Sequence, residues 1–578
     1  MAPKKNQESF RQQMKGFPWS QIFVISLVRF AEPIAFTSLF PYVYFMVKDF
    51  GVAENEAEVS KYSGYLSSTF AFCQVLTSFN WGKFADKNGR KPTLIIGLTG
   101  SIISLLLLGF AKNYYWALLA RSTMGLLNGN VAVIRTMIGE VATERKHQAL
   151  AFSTMPLIFQ VGCVVGPLIG GFLSGKTTRF NVLRPLVEKY PYALPNLFVS
   201  ALLFISMITA IFFLEETHYK HKYRFDPFVE LGDSIKRYIF KIEPKSRAWH
   251  KLSIDNTSKQ RRNTPPSPAI IDEETALLDE DDDEDNRETS ISAAHHRDYS
   301  PEIESDESIK SVGNVLTRRQ SVALVRSYSL HESQDDEKIN YKELLTPHIF
   351  YAVVCNFIMS LHIVVHDEFL PIFLAYDVAR DKLGNLISEF PLKIVGGLNY
   401  TSEDTGQLLS STGVLGVIFV LFVFPYVDRH YDCLTTYKNF IKIFPICYFL
   451  VPYLVFFADH KTLGKLSAYT LTCLKTLGTS ISFPQILLIV HNCSPPKHRA
   501  LINGATISVS ALARCTGPLI WGFIMSWGQN YQIAWIGWWL LSLISLLAVY
   551  QSRYLKDSND EDDEEEESHG DEEEEIRS

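Results

Sequence analysis

The chain has 578 residues, with 55 Lys and Arg against 62 Asp and Glu and a formal net charge of −7. That length exceeds one ordinary soluble domain, and the near-zero mean hydropathy of +0.05 averages two extremes. Runs almost free of charge alternate with segments dense in Asp, Glu, Ser, Lys and Arg. The acidic excess sits in two polar segments, so the net charge says little about partners, and no nucleic-acid partner is expected.

Met1 to Ser20 is basic and polar and lacks the cleavage site of a signal peptide, so the first apolar run is expected to be retained. Read as bilayer spans of roughly 20 apolar residues, the runs predict twelve, at about 21–47, 62–81, 93–111, 115–138, 147–174, 192–214, 347–374, 404–424, 439–458, 464–492, 500–526 and 531–552. Backbone amides in lipid need internal partners, so each span must be a helix. Of eight cysteines, Cys73, Cys163, Cys355, Cys447, Cys473 and Cys515 lie within spans, which argues for packing residues and against a disulfide framework.

Span one carries Arg29 and Glu32, three residues apart on one face and able to pair. A charge at the bilayer centre costs at least ~2.5–3.5 kcal/mol, so an intramembrane charge points to function unless it snorkels from a helix end. After span two comes a compact basic turn, Gly82-Lys83-Phe84-Ala85-Asp86-Lys87-Asn88-Gly89-Arg90-Lys91. Here Gly82 is expected to let helices approach closely and Gly89 to permit a tight turn. Asp86 can face a neighbouring helix N-terminus, and Arg90 can pair with Glu140 or Glu144 at the end of span four. The plainer reading is a basic loop that only sets orientation.

Span four holds Arg121 and Arg135; Arg121 lies well inside its run, whereas snorkelling accounts for Arg135. Span five contains Gly162, Gly166, Pro167, Gly170 and Gly171, spaced G-x-x-x-G-P-x-x-G-G. Small residues four apart let two helices touch backbone to backbone, and Pro167 adds a kink whose freed carbonyl must be satisfied locally. Span seven has His362, His366, Asp367 and Glu368, span ten Lys475, and span eleven Arg514. The His spacing of four residues can chelate zinc, but no third ligand is evident, so neither a metal nor another cofactor is expected. A carboxylate beside a cavity takes and releases protons as its exposure changes. Glu32 and Asp367 or Glu368 are the expected proton sites, with Arg29 as a pairing partner and Arg121 modulating the span-one carboxylate. Aromatics in spans one, six, seven and nine suit a cavity for an apolar or cationic solute, or else face lipid.

Short loops rich in Lys and Arg face the cytosol. The N-terminus (Lys4, Lys5, Arg11, Lys15) and the even-numbered loops meet that rule, so both termini are predicted to be cytosolic. The loop after span five, with Lys176, Arg179, Arg184 and Lys189, dissents. The sequon Asn399-Tyr400-Thr401 falls in a predicted outer loop, which makes Asn399 a glycosylation candidate.

The expected organisation is a tail at 1–20, a six-helix bundle at 21–214, a largely disordered cytosolic regulatory loop at 215–346, a second bundle at 347–552 and an acidic tail at 553–578. The loop carries Glu273, Leu277 and Leu278 in the spacing of an acidic dileucine signal for a sorting adaptor. Ser321, in Arg318-Arg319-Gln320-Ser321, suits a basic-directed kinase, with Ser327 and Ser329 nearby. The two bundles read as a repeat: His147-Gln148-Ala149-Leu150 and Gly166-Pro167 correspond to His498-Arg499-Ala500-Leu501 and Gly517-Pro518. A worn copy of the basic turn, Tyr426-Val427-Asp428-Arg429, follows span eight.

These residues resemble the major facilitator superfamily, whose signature loop reads G-x-x-x-D-[RK]-x-G-[RK]-[RK]. The span-five glycines resemble the antiporter motif of its drug:proton exchangers. Arg29-x-x-Glu32-Pro33 and Asp367-Glu368-Phe369-Leu370-Pro371 are similar to fungal vacuolar relatives of the plant zinc-induced facilitators. The resemblance implies an all-α membrane protein of twelve helices in two six-helix pseudo-repeats. It also implies a conformational latch at Gly82, Asp86, Gly89, Arg90 and Glu140, a span-five interface that favours exchange over leak, and a monomer in a vacuolar or lysosomal membrane, with the plasma membrane as alternative. Without a nucleotide-binding or catalytic motif, the expected activity is gradient-driven, proton-coupled antiport of small organic solutes or drugs, not enzyme catalysis. A sensor with the same fold and little flux is the alternative.

Overall fold

A computed structural model describes residues 16–142, 145–175, 183–218, 221–241, 346–494 and 499–555. The dileucine motif at Glu273, Leu277 and Leu278, the serines Ser321, Ser327 and Ser329, and Glu144 lie outside the described residues.

The described chain is helical, and its segments follow the predicted spans. Span one runs as Trp19–Thr37 and, past a turn, as Val43–Asp49. Pro41, which has no N–H to donate, sits in that turn, where bonds from Phe40 N to Thr37 O and Tyr42 N to Leu39 O carry the chain across. Val59–Asn88 and Arg90–Gly109 form spans two and three. Span four is two helices, Tyr114–Leu126 and Asn130–Val141, parted at Leu127-Asn128-Gly129. Arg145–Leu173 and Ala193–Phe213 complete the first bundle.

Spans seven and eight are Pro347–Ala375 and Ser402–Ile418, the latter continuing through a π-helical turn, Phe419–Val423, into Phe424–His430. Span nine is assembled from Cys433–Phe440, Ile443–Leu450 and the 3₁₀ turn Val451–Phe457. Lys461–Asn492, Arg499–Asn530 and Trp535–Gln551 are spans ten to twelve. Among the described residues, nine spans are long and apolar enough to cross a membrane on those criteria alone. Of the others, span two is rich in Ser and Lys, span four is interrupted at Leu127-Asn128-Gly129, and span five carries the apolar stretch Leu157–Leu173.

Two helices were not anticipated. Arg184–Lys189 precedes span six, and Pro227–Phe240 lies inside the segment expected to be disordered from residue 215. Asp226 caps the second, accepting hydrogen bonds from Phe228 N at 3.0 Å and Val229 N at 3.3 Å. Its Val229 is buried, and a Cβ on Gly232 would collide with the Phe212 carbonyl, so this helix packs directly on span six. The stretch just after Phe213 is therefore ordered by the apolar face of Pro227–Phe240, which a reading based on overall polarity overlooks.

Span five packs tightly against two other spans. A Cβ on Gly162 would meet Pro33, on Gly166 the Thr37 side chain, and on Gly170 the Ser38 carbonyl, all in span one; on Gly171 it would meet Ser402 and Gly406 in span eight. Span eleven repeats the arrangement, with Gly517 against Leu361 and Val365 of span seven and Gly522 against Ser60 and Gly64 of span two. Each glycine row thus serves one contact within its bundle and one across to the other. Gly82 differs from expectation: among the described residues nothing lies within 4 Å of where its Cβ would be, so it marks no close approach there.

Adding a side chain at Gly170 forces backbone apart, a cost of ~1–3 kcal/mol. Gly170→Val is expected to lower the thermal unfolding midpoint of the purified protein in detergent, whereas Gly82→Ala leaves it unchanged or slightly raised.

Candidate functional site: a network of intramembrane charges

Span one places Arg29 and Glu32 on the inner face of its first helix, where they form an ion pair. Asn128, at the break in span four, donates to the other Glu32 oxygen at 3.1 Å. The break therefore turns a side-chain amide inward to meet a carboxylate that its own helix presents. Arg514 of span eleven lies within electrostatic range of both Glu32 and Arg29. Arg135, in the second half of span four, is exposed and faces Arg29 and Arg514.

In span seven, adjacent carboxylates point about 100° apart around the helix, and they serve different partners. Asp367 forms an ion pair with Lys475 of span ten; the lysine side chain is 6% exposed and the aspartate 40%. His366 Nδ1 lies 3.3 Å from the same Asp367 oxygen. His362 Nδ1 contacts the Tyr448 hydroxyl at 2.9 Å. Each histidine is thus engaged separately, and among the described residues no group of three or more His, Cys, Asp or Glu could hold a metal ion.

Glu368 turns toward the other bundle, where the Arg121 guanidinium and the Ser67 hydroxyl face its carboxyl. Arg121 is fully buried, with its guanidinium 4.8 Å from the centre of the Phe70 ring. Among the described residues neither Glu368 Oε2 nor Arg121 Nε has a hydrogen-bond partner. This corrects one expectation: Arg121 attends the span-seven carboxylate, while the span-one carboxylate is served by Arg29, Asn128 and Arg514. Sequence spacing shows the pair within span one but not which distant helix faces a buried arginine.

At the end nearer the termini, Gly89 adopts a φ of 106° and parts spans two and three. Arg90 donates to Asp86 at 2.6 Å and to Glu140 at 3.2 Å. Burial alone would lower the Arg90 pKa, but hydrogen bonds to Asp86 and Glu140 leave it raised. Asp86 does not cap span three. Glu216, just past span six, does so, accepting from Arg90 N at 2.9 Å and Lys91 N at 3.1 Å. Thr217 donates to Glu140 at 2.5 Å, and Lys91 pairs with Asp226 at 2.6 Å. Glu216, Thr217 and Asp226 were missed because they follow span six in the chain; the acidic Glu215-Glu216 pair beside a basic turn was the available signal.

At the opposite end, the bundles are joined by polar contacts that the sequence did not suggest. Lys48 pairs with Glu56 at 3.2 Å and with Asp377 of the second bundle at 3.1 Å. Ser60 and Tyr376 share a hydrogen bond of 2.6 Å between hydroxyls. Ser410 donates to the Val164 carbonyl at 2.8 Å. Asn399 lies on this side, exposed, with φ 53°, and Thr401 of its sequon forms a capping box with Asp404 at the start of span eight.

Residues 25–518 match the family described as Major Facilitator Superfamily. The chain belongs to that superfamily. It is 32% identical over 562 residues, 95% of this chain and 85% of the relative, to the major facilitator superfamily multidrug transporter mfsB of Aspergillus fumigatus. It is 24% identical over 533 residues to the protein ZINC INDUCED FACILITATOR 1 of Arabidopsis thaliana, covering 90% of this chain and 87% of that one. A crystal structure of a D-xylose-proton symporter shares the fold at a TM-score of 0.55 and 10% identity, with 94% of this chain and 99% of that one covered. This superfamily member is accordingly a multi-pass membrane transporter, with the twelve-helix facilitator fold expected of it.

In this facilitator the Lys48 contact is half-exposed and worth ~0.2–1 kcal/mol. Burial lowers the Lys48 pKa, but hydrogen bonds to Asp377 and Glu56 leave it above its ordinary 10.5. Its contribution is therefore fully present below pH 10.5 and is lost as pH rises through the higher folded value. Spin labels at Glu54 and Lys382 are expected to show the same distance distribution from pH 7 to 10 in the wild type. Lys48→Met should raise the long-distance population about 1.4- to 5-fold, the equivalent of that energy.

Proposed function

We propose that this facilitator is a proton-coupled exporter or exchanger of small organic solutes that works by alternating access. The observation that carries the reading is that three carboxylates, Glu32, Asp367 and Glu368, lie inside the spans facing buried basic groups. Such groups are costly in a membrane and are kept for ion and substrate pathways. A proton arriving at Asp367, the most exposed of the three, neutralises it and frees Lys475 from its ion pair. Glu368 and Arg121 belong to opposite bundles, so a rocking motion changes their separation and with it the affinity of the carboxyl for a proton. Glu32, held by Arg29 and Asn128, is the second proton site.

Basic residues at the N-terminus and in the even-numbered loops favour cytosolic termini. On that orientation the joined end, with Lys48, Asp377 and Asn399, faces the lumen or exterior. The cluster of Arg90 with Asp86, Glu140 and Glu216 latches the cytosolic face of the first bundle. The glycines of spans five and eleven seal the seams during rocking, which favours exchange over leak. The dileucine signal at Glu273, Leu277 and Leu278 favours a vacuolar or lysosomal membrane; kinase action at Ser321, Ser327 and Ser329 and glycosylation at Asn399 belong to the same reading. The multidrug name of the mfsB relative supports a drug-like or metabolite cargo.

The test is proton movement in sealed liposomes holding the purified protein and a pH-sensitive dye, with cationic drugs, amino acids, polyamines and chelators added in turn. Asp367→Asn leaves Lys475 buried without a counter-charge, at a cost of ~3–5 kcal/mol, and is expected to reduce folded yield. Asp367→Asn with Lys475→Met should restore yield but not solute-evoked proton movement. Full proton movement in that double variant removes Asp367 from the mechanism.

A second check uses Glu32→Gln, which is expected to bind solute while losing its response to a pH gradient. Wild-type coupling in Glu32→Gln contradicts the role of that carboxylate.

A further inference from the structure

We propose that Arg29, Arg135 and Arg514 together bind the carboxylate or phosphate group of an anionic solute. This deepens the transporter reading by naming a cargo chemistry, and it does not depend on proton coupling.

Guanidinium groups from spans one, four and eleven lie there within electrostatic range of one another, and guanidinium stays charged at any physiological pH. Among the described residues a single carboxylate, Glu32, faces them: it pairs with Arg29 and lies within electrostatic range of Arg514. The charges facing Arg135 are those of Arg29 and Arg514, both of its own sign. Asp367 lies near the same groups, since Cys163 is within electrostatic range of both it and Arg29, but it is bound to Lys475. Glu368 is turned to Arg121. The centre thus holds two positive charges more than its carboxylate balances. In a low-dielectric interior that excess is unfavourable by itself and favourable once an anion enters.

The hydrogen-bonding pattern leads the same way. Arg29 Nε and Arg514 Nε are buried and have no acceptor among the described residues. Guanidinium donors form a planar fork that matches carboxylate and phosphate oxygens. The three residues come from both bundles, so an anion held among them contacts both halves, as a substrate that drives alternating access must. Snorkelling, the simpler account of Arg135, takes a side chain away from the protein interior to the water interface. The Arg135 side chain is exposed, yet it stays within electrostatic range of two arginines on other helices. An apolar or cationic solute, suggested by the aromatics of the spans, finds no excess negative charge here.

The test uses the full chain purified in detergent, at constant ionic strength, with thermal unfolding as the readout. Phenyl phosphate, benzoate, inorganic phosphate and benzylamine are titrated separately. At least one anion is expected to raise the unfolding midpoint, and benzylamine is not. If phenyl phosphate and benzoate act while inorganic phosphate does not, the cargo is an organic anion; if inorganic phosphate acts as well, the oxyanion suffices. Arg135→Gln and Arg514→Gln should each weaken the apparent affinity about tenfold, as loss of one charge-assisted contact predicts. Arg135→Lys, which keeps the charge, should recover part of it.

A readout without any ligand accompanies this. Removing one of several like charges relieves repulsion, so Arg135→Gln is expected to unfold at the wild-type temperature or above it. A lower midpoint shows that Arg135 holds structure and overturns the proposal. So does stabilisation by benzylamine in preference to the anions, no stabilisation by any anion, or unchanged anion affinity in both glutamine variants. Because binding is measured without a gradient, failure of proton coupling leaves this result standing, and the reverse also holds.

Discussion

The arrangement depends on the need of every charge inside the bilayer for an opposite charge or a hydrogen-bonding partner. In the second bundle that need fixes span seven against span ten, through Asp367 and Lys475. In the first it fixes span one against the break in span four, through Arg29, Glu32 and Asn128. Between the bundles the requirement is met less fully: Arg121 and Glu368 face one another, yet each keeps a buried polar atom without a partner. Pairs within a bundle are therefore suited to rigidity, and groups facing each other across the divide are suited to change.

Helix interruptions make this placement possible. A straight helix offers only side chains to the interior, whereas the break at Leu127-Asn128-Gly129 brings Asn128 onto Glu32. The turn at 38–42 lets span one continue beyond the tight contact with span five and end at Lys48, where the joined side is held. Glycine on span five and proline in span one are complementary there, since Gly162 occupies the space that any side chain would need to pass Pro33. Packing and charge thus act on the same two helices from different sides.

Much of this was legible in the sequence. Hydropathy runs place the helices because lipid enforces both length and backbone satisfaction. The Arg29 pairing with Glu32 follows from local charge spacing, and the Arg90 contact with Glu140 from a basic turn and an acidic helix end assigned to the same side of the membrane. What the sequence withheld has a common cause: Lys475 against Asp367, Glu368 against Arg121, and Glu216 capping span three all join residues far apart in the chain. Helix order in a bundle sets those encounters, and periodicity carries no information about it. Pro227–Phe240 was hidden differently, as a short amphipathic helix at the edge of a strongly polar segment.

The central claim is that groups facing each other across the bundles couple the intramembrane charges to motion, and a double-mutant cycle on Arg121 and Glu368 tests it most directly. Uptake rates of the wild type, Arg121→Gln, Glu368→Gln and the double variant would be compared in liposomes. The account predicts that the two single losses do not add, with an interaction energy of at least ~0.5 kcal/mol, the lower edge for residues that share a network. Losses that add to within about 0.3 kcal/mol show independent residues and contradict the claim.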